Sequence, residues 1–337
     1  MKTIRLIFPQ WQGARLQDGS IPEVPNAKDA RLGYSLGAKL LELLVPENKN
    51  QKTIQVPVST ALEQRPITFG VSDRDVIVKQ AKEALNILEK EDPERIITLG
   101  GECSVSVTPF TYLAKKYQGD VAVLWISAFP NLSLPGDSDA GFHSMAVTAL
   151  MGKGDENIMS VLPYQIPANR ILYVGLRDWE REQIRNRQKE FGIKNLSNED
   201  ILQNSDKVLE WIRSTGAKRI LVHFNLCILD PTEIIASACN VKQGLKMQVI
   251  SRIINDVSEE NNVIGLTIAE SFPRTALRLQ KMFSASVFSR TPKSFSIHTN
   301  EKAADLCGFF EFYPLNFKKR YRYLAVWTGV FRNALFL

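Results

Sequence analysis

The fold is decided by the segment RIITLGGECSVSVTPFTYLAKKYQGDVAVLWI, which occupies residues 95–126. A compact apolar run at 95–99 ends in a Gly-Gly pair, a stretch of helical character follows at 104–117, and a second apolar run fills 120–126. The second run is almost continuously apolar, which is typical of a strand that is buried on both faces of a parallel sheet. The segment therefore predicts a strand, a helix and a second strand of one sheet.

The same alternation of short apolar runs and longer amphipathic stretches continues along most of the chain. The predicted strands lie at 3–8, 53–56, 95–99, 120–126, 171–174, 219–224 and 263–269. The predicted helices lie at 33–44, from an N-cap at Ser72 to residue 88, and at 104–117, 207–214 and 245–257. Repeated β–α units of this kind predict an α/β domain with a mostly parallel sheet and helices on both of its faces.

Composition narrows the class of protein. The chain has 337 residues, 44% hydrophobic and 23% charged, with a net charge of +6. Its four cysteines are few and widely spaced, which is unlike a secreted disulfide framework. No apolar run approaches the roughly 20 residues that span a bilayer, and the N-terminus runs straight into a strand without a signal-peptide pattern. We expect a cytoplasmic protein with no membrane span and no nucleic-acid partner.

The C-terminal part differs from the rest. After about Met282 the alternation fades, and residues 309–337 are rich in Phe, Tyr, Lys and Arg without a clear period. We therefore predict one domain over residues 1–290 and a basic, aromatic-rich tail over residues 291–337. The tail is open to three interpretations: a helix that packs on a neighbouring subunit, an arm that binds a surface, or an appended segment that plays no part in folding.

Ligands of open α/β sheets bind beyond the carboxyl ends of the strands, so the loops after residues 99, 126, 224 and 269 are the candidate site. These loops carry GGECS at 100–104, SAFPN at 127–131, NLCILDP at 225–231 and a glutamate at 270. A fifth phrase, HSM at 143–145, lies between the second and the third.

In this order the phrases resemble those of the ureohydrolase family, which contains arginases, agmatinases and formimidoylglutamases. The family has GGDH, DAHxD, HGM, a DxD that is followed by DP, and a late glutamate. The resemblance covers roughly residues 1–285. It implies a three-layer α/β/α arginase-like fold, usually a homo-oligomer, in which two manganese ions activate a bridging hydroxide for attack on a guanidinium or amidine carbon.

The resemblance places neutral side chains at all six metal-ligand positions of the family. These positions are Cys103, Ser127, Phe129, Asn131, Asn225 and Cys227. Manganese prefers carboxylate and imidazole ligands, whereas phenylalanine has no donor atom and asparagine offers only a neutral carbonyl. Four carboxylates are replaced together, which avoids four unpaired charges in a buried site. We therefore expect no manganese and no other cofactor.

Four polar residues outside those positions stand out. The resemblance gives Glu270 the role of orienting a guanidinium group and His143 that of shuttling protons. From the residues alone, two interpretations of Glu270 stay open: a role in a pocket or a structural hydrogen bond. His143 is predicted to be a loop histidine that forms hydrogen bonds with nearby residues. His223 on an apolar strand is predicted to be a hydrogen-bonded core histidine, and Asp230 a turn residue.

Cys103 is the basis of an alternative function. It stands where a glycine turn meets a predicted helix N-terminus, and there the helix dipole and free backbone N–H groups can lower the pKa of a thiol. A thiolate can attack a guanidinium carbon, with His143 as the base and Glu270 as the anchor. The opposing interpretation is a small buried residue that fills the space of a histidine. Cys239 and Cys307 are predicted to be inert.

The sequence favours a metal-free pseudoenzyme of the ureohydrolase family that has kept the fold and can hold a small guanidino ligand. The alternative is a retained hydrolase of amidines or guanidines that acts through Cys103 or through an atypical metal.

Overall fold

A central sheet of eight parallel strands forms the middle layer of the computed structural model, which describes residues 1–284 except 17, 18, 20, 22, 25, 62–65, 178–180, 240 and 241. The strands of this sheet are β1 (Thr3–Phe8), β2 (Lys52–Gln55), β5 (Arg95–Gly100), β6 (Ala122–Ile126), β7 (Ile171–Val174), β8 (Lys194–Leu196), β9 (Arg219–Asn225) and β10 (Asn262–Ala269). Their order is β2-β1-β5-β10-β9-β6-β7-β8. A separate two-stranded hairpin pairs β3 (Ile67–Thr68) with β4 (Val71–Ser72).

Helices cover both faces of the sheet. They are α1 (Ala27–Leu44), α2 (Arg74–Glu91), α3 (Val107–Lys116), α4 (Ala146–Leu150), α5 (Glu156–Met159), α6 (Glu182–Phe191), α7 (Asn198–Ile201), α8 (Asp206–Thr215), α9 (Met247–Glu260) and α10 (Arg274–Ser284). Short 3₁₀ turns occur at Cys103–Ser106, Phe142–Met145, Ala168–Arg170 and Leu226–Ile228.

Side chains that alternate along the strands build one hydrophobic core on each face. Leu6 and Val123 point to the core that receives α2 and α3, whereas Ile7 and Leu124 point to the core that receives α8 and α9. In α9 the buried residues recur every three or four positions, which places them on one face of the helix. This arrangement confirms the predicted three-layer α/β/α fold.

Most predicted elements lie where the apolar pattern placed them, and the differences fall at helix starts. The strands at 3–8 and 171–174 have the predicted bounds. The first helix begins at Ala27 and not at residue 33. Ser72 does not cap α2, because it belongs to β4 and donates its backbone N–H to the carbonyl of Ala140. The N-cap of α2 is Asp73, in a left-handed conformation.

The predicted tail at 291–337 lies outside the described residues, so its three interpretations and the domain boundary stay predictions. Within the described part of the chain, no helix has the length and apolar character that a transmembrane span needs.

Candidate functional site

A cavity of about 1350 Å³ opens at the carboxyl edge of the sheet. The strands β5, β10, β9 and β6 are neighbours there, with Ile268 in register beside Leu99 and Ala269 beside Asn225. The register gathers residues from four loops that are far apart in the sequence. These are Cys103, Ser127, Asn225 and Glu270.

We define the floor of this cavity as three residues that line it, Cys103, Asn225 and Cys227, together with Ser127, which is hydrogen-bonded to Asn225; each is at most 2% exposed. The side-chain Nδ2 of Asn225 donates hydrogen bonds to Sγ of Cys103 and to Oγ of Ser127, both at 3.2 Å. Its Oδ1 accepts the backbone N–H of Cys227 at 2.7 Å. The floor is therefore a neutral, buried network whose donors and acceptors satisfy one another.

Glu270 lies beside the floor and is 4% exposed. Its Oε1 accepts the backbone N–H of Cys103 at 3.1 Å and the Cys103 thiol at 3.3 Å. Burial raises the pKa of Tyr34, from α1, well above its ordinary value, and the charge of this carboxylate raises it further. The backbone of Glu270 has a φ of 67°, which costs a non-glycine residue on the order of 1 kcal/mol, and its N–H is held by the carbonyl of Gly101 at 2.7 Å.

The thiol of Cys103 does not have the lowered pKa that its place before a helix suggested. Burial raises its pKa well above the ordinary value, and the negative charge of Glu270 raises it further. The helix argument was wrong because it considered only the local turn. A carboxylate from β10, 167 residues away in the sequence, lies against the sulfur and favours the protonated thiol.

The wall of the cavity consists of Asp139, His143, Arg177 and Arg181, which all line it. The Nδ1 of His143 is 2.7 Å from the carbonyl oxygen of Gly13, which can only accept, so Nδ1 carries the proton. Its Nε2 is 3.6 Å from a carboxylate oxygen of Asp139. Burial lowers the pKa of His143, but the charge of Asp139 and of the more distant carboxylates outweighs it, and the pKa lies above its ordinary value.

The two arginines of the wall follow β7. Arg177 donates from Nη1 to the carbonyl of Ile228 at 2.8 Å and from Nη2 to that of Cys227 at 2.9 Å. Burial lowers the pKa of Arg177. Arg181 donates to the hydroxyls of Ser138 and Ser133, both at 3.2 Å. Neither guanidinium forms an ion pair with a carboxylate that the structure describes.

Comparison with known proteins shows the family to which the chain belongs. The family model described as "Arginase family" matches residues 37–288, about three quarters of the chain. The chain belongs to the arginase family. It is 25% identical over 267 residues to the arginase of Entamoeba histolytica, covering 72% of this chain and 86% of that protein. It is 27% identical over 191 residues to the arginase of Coccidioides immitis, of which it covers 59%.

Solved structures show the same fold. The Entamoeba histolytica arginase, in complex with L-ornithine, superposes with a TM-score of 0.67 at 18% identity, over 84% of this chain and 98% of that one. The formimidoylglutamase of Bacillus subtilis gives a TM-score of 0.59 at 15% identity, over 86% of this chain and 89% of that one. The predicted ureohydrolase fold and family are thereby confirmed.

The floor does not include Phe129 and Asn131, the other two positions to which the family resemblance assigns metal ligands. Oδ1 of Asn131 accepts the indole N–H of Trp125 at 3.0 Å, and its Nδ2 donates to the carbonyl of His143 at 2.9 Å. The ring of Phe129 is half-buried and lines the cavity. Within the ranges that the structure describes, no three His, Cys, Asp or Glu side chains are arranged to hold a metal ion.

His223 and Asp230 lie outside the cavity. The ring of His223 is fully buried and stacks on Trp125 at a centroid distance of 3.6 Å. Its Nδ1 is hydrogen-bonded to the Ser106 hydroxyl at 2.7 Å, but its Nε2 has no partner among the described residues. Only one of the two ring nitrogens therefore has the hydrogen bond predicted for a core histidine. Burial lowers the pKa of His223 to about 3. Asp230 accepts the backbone N–H of Thr232 at 2.9 Å, as expected of a turn residue.

Sequence reasoning did not single out several residues that line the cavity, among them Tyr34, Asp139, Arg177 and Arg181. Arg177 stands three residues after a strand end, so the rule that located the other loops could have found it had it been applied to β7. Cys239 was predicted to be inert, and this half-buried residue lines the cavity, where it adds to the burial that raises the pKa of Cys227. The sequence offers no signal that a residue of α1 reaches Glu270.

Proposed function

We propose that this arginase-family protein is a metal-free pseudoenzyme that holds a small ligand in the cavity and does not hydrolyse guanidino compounds. The observation that carries the proposal is the hydrogen bonding of the floor. Asn225 joins Cys103 to Ser127 through neutral groups, at positions that the family resemblance gives to metal ligands.

The donor atoms on these positions do not fit a pair of manganese ions. Hard divalent ions are bound by carboxylates and imidazoles, whereas the floor offers one hydroxyl, one amide and two thiols whose pKa values burial raises. The amide oxygen of Asn131 is already taken by Trp125. Phe129 supplies no donor atom. Glu270 is the carboxylate in contact with the floor, and it accepts the backbone N–H and the thiol of Cys103.

The charge balance points the same way. A cluster of carboxylates without metal ions would repel itself in a buried site at a cost of several kcal/mol. A neutral floor avoids this cost without any ion. The six substitutions are therefore mutually consistent with a protein that folds and persists in the absence of manganese.

One observation favours the runner-up, a hydrolase that acts through Cys103. Its thiol, the Glu270 carboxylate and the cavity lie together, as a nucleophile, an anchor and a substrate site require. Against it, the pKa of the thiol is raised and its proton is donated to Glu270. His143 has its Nδ1 on Gly13 and its Nε2 towards Asp139, and neither nitrogen is bonded to the thiol.

The proposal is tested by measuring urea release from arginine and from agmatine after incubation with manganese, with the Entamoeba histolytica arginase assayed in parallel. We expect urea from the amoebal enzyme and none from this protein. Manganese-dependent urea release would overturn the proposal. Turnover without manganese that is lost in Cys103→Ala would establish the runner-up.

The family resemblance also leads us to propose a homo-oligomer, and the sequence leads us to propose a cytoplasmic location. Light scattering of the purified full-length chain tests the first, because a mass of one chain, 38.0 kDa, would contradict it.

A further inference from the structure

Among the residues that the structure describes, the cavity has a surplus of cations: four arginine or lysine side chains line it, against three carboxylates. The cations come from three separate loops: Arg15 after β1, Arg177 and Arg181 after β7, and Lys242 after β9. Positive charge from several directions raises the local concentration of anions and lowers that of cations.

The carboxylates that line the cavity leave this surplus largely uncompensated. Glu270 is occupied by the N–H and thiol of Cys103. Asp139 faces the ring of His143, and the charge of this carboxylate raises the pKa of the histidine. The third carboxylate, Glu199, is exposed on α7. None of the three forms an ion pair with an arginine of the wall, as far as the structure describes the chain.

Arg177 forms no direct ion pair with any carboxylate that the structure describes. Its guanidinium is partly buried, its described hydrogen bonds all go to backbone carbonyls, and its Nε–H is buried without a partner. Carbonyl groups satisfy the N–H donors but supply no net negative charge. Burial lowers the pKa of Arg177, and the charge of Asp230, which acts in the opposite direction, does not outweigh it.

Arg181 is the residue best placed to contact a ligand directly. An arginine has five N–H donors, and the described bonds of Arg181 use two of them, both long contacts to serine hydroxyls. Ser138 also lines the cavity and can donate its own hydroxyl proton. A guanidinium fork beside a hydroxyl is a common way to bind a carboxylate or a phosphate group.

We propose that the cavity binds a small organic anion through a carboxylate or phosphate group held by Arg181, in the positive field of Arg177, Lys242 and Arg15. The ligand differs in charge from the guanidinium compounds that the family resemblance suggested. The inference rests on the proposed function in one respect, since it takes the floor to be neutral and free of metal.

The test is calorimetric titration of the full-length protein in EDTA at low ionic strength, where surface charges are least screened. The probes are succinate as a carboxylate, glycerol 3-phosphate as a phosphate and agmatine as a cation. We expect one or both anions to bind and agmatine not to bind. Binding of only one anion identifies the group that the site prefers. Binding of agmatine alone, or of no probe, would overturn the proposal.

Two variants and a control locate the binding. Arg181→Gln is expected to weaken anion binding about tenfold or more, as expected for loss of a charge-assisted hydrogen bond. Lys242→Gln removes a second positive charge. The Lys242 side chain forms no hydrogen bond among the described contacts, so its loss breaks none of these, and we expect it to weaken binding to a lesser degree. Arg213→Gln on α8 removes an exposed arginine that does not line the cavity and should leave binding unchanged. Equal affinities in Arg181→Gln and the unsubstituted protein would contradict the assignment.

Failure here and failure of the proposed function are distinguishable. Anion binding in EDTA does not depend on whether added manganese produces urea, and urea release does not depend on whether succinate binds the metal-free protein.

Discussion

The floor and the wall of the cavity lie side by side but differ in charge. In the floor, Asn225 joins Cys103 and Ser127 through neutral hydrogen bonds, and each member is almost fully buried. In the wall, Arg181 and the pair of His143 and Asp139 keep ionisable groups in contact with the open cavity. Under the function proposed above, the floor serves as a structural element and the wall recognises the ligand.

The strongest test of this difference is to return a charge to the floor. Asn225→Asp places a carboxylate in a buried site without a cation, and we expect it to lower the free energy of unfolding by about 3 kcal/mol near neutral pH. Burial would raise the folded-state pKa of the new carboxylate above its unfolded value. The deficit therefore grows as the pH rises and vanishes below the unfolded-state pKa of about 4, where the group is protonated in both states.

Urea unfolding at about pH 7 and about pH 5 measures this deficit. Asn50→Asp, in an exposed turn, is the matched control and should change stability by less than about 0.5 kcal/mol. An Asn225→Asp variant as stable as the control at neutral pH would show that the floor tolerates charge, and would remove the main physical reason for its neutrality.

Alkylation compares the two thiols of the floor with Cys239, a further residue that lines the cavity. Burial raises the pKa of Cys103 and of Cys227, and both thiols are hidden from solvent, whereas Cys239 is half-buried. We expect iodoacetamide to modify Cys239 faster by about tenfold or more, since a thiol whose pKa is one unit higher has about a tenth of the thiolate. Mass spectrometry of the peptides gives the three rates. If Cys103 reacts first, the thiolate function gains support and the inert floor is contradicted.

A smaller effect is expected in the wall. Asp139→Asn removes the nearest negative charge from His143, so the pKa of that histidine should fall. NMR titration of the ring protons measures the shift. His223 does not interfere, because its pKa of about 3 lies outside the same pH range. Asp120→Asn, which removes the partner of Arg219, is the control and should leave the His143 titration unchanged. No change in Asp139→Asn would mean that the wall pair does not interact.

Local patterns were sufficient to predict the fold because buried parallel strands are continuous apolar runs, as at residues 120–126. The floor was located for a related reason, since the carboxyl ends of parallel strands must meet at one edge. The start of α1 at Ala27 was missed because residues 27–32 carry no clear apolar period, and the role of Ser72 depends on β4 pairing with β3.

Long-range contacts account for what could not be predicted in the site. The pKa of Cys103 is raised by burial and by the charge of Glu270, and that charge also raises the pKa of Tyr34 from a distant helix. The position of Cys239 depends on the loop after β9, where Arg274 donates from Nε to the carbonyl of Ser237 at 3.0 Å and Phe272 donates its N–H to that of Ala236 at 2.8 Å. None of these contacts has a signature in a short stretch of sequence.

The most direct test of the central claim is the manganese content of the purified full-length protein after incubation with excess manganese and removal of the free ion. Elemental analysis of the Entamoeba histolytica arginase, treated in the same way, provides the comparison. A neutral floor that lacks hard ligands predicts far less than one manganese ion per chain. About two ions per chain would contradict it, because a floor built from Ser127, Asn225 and two protonated thiols should have no means of retaining them.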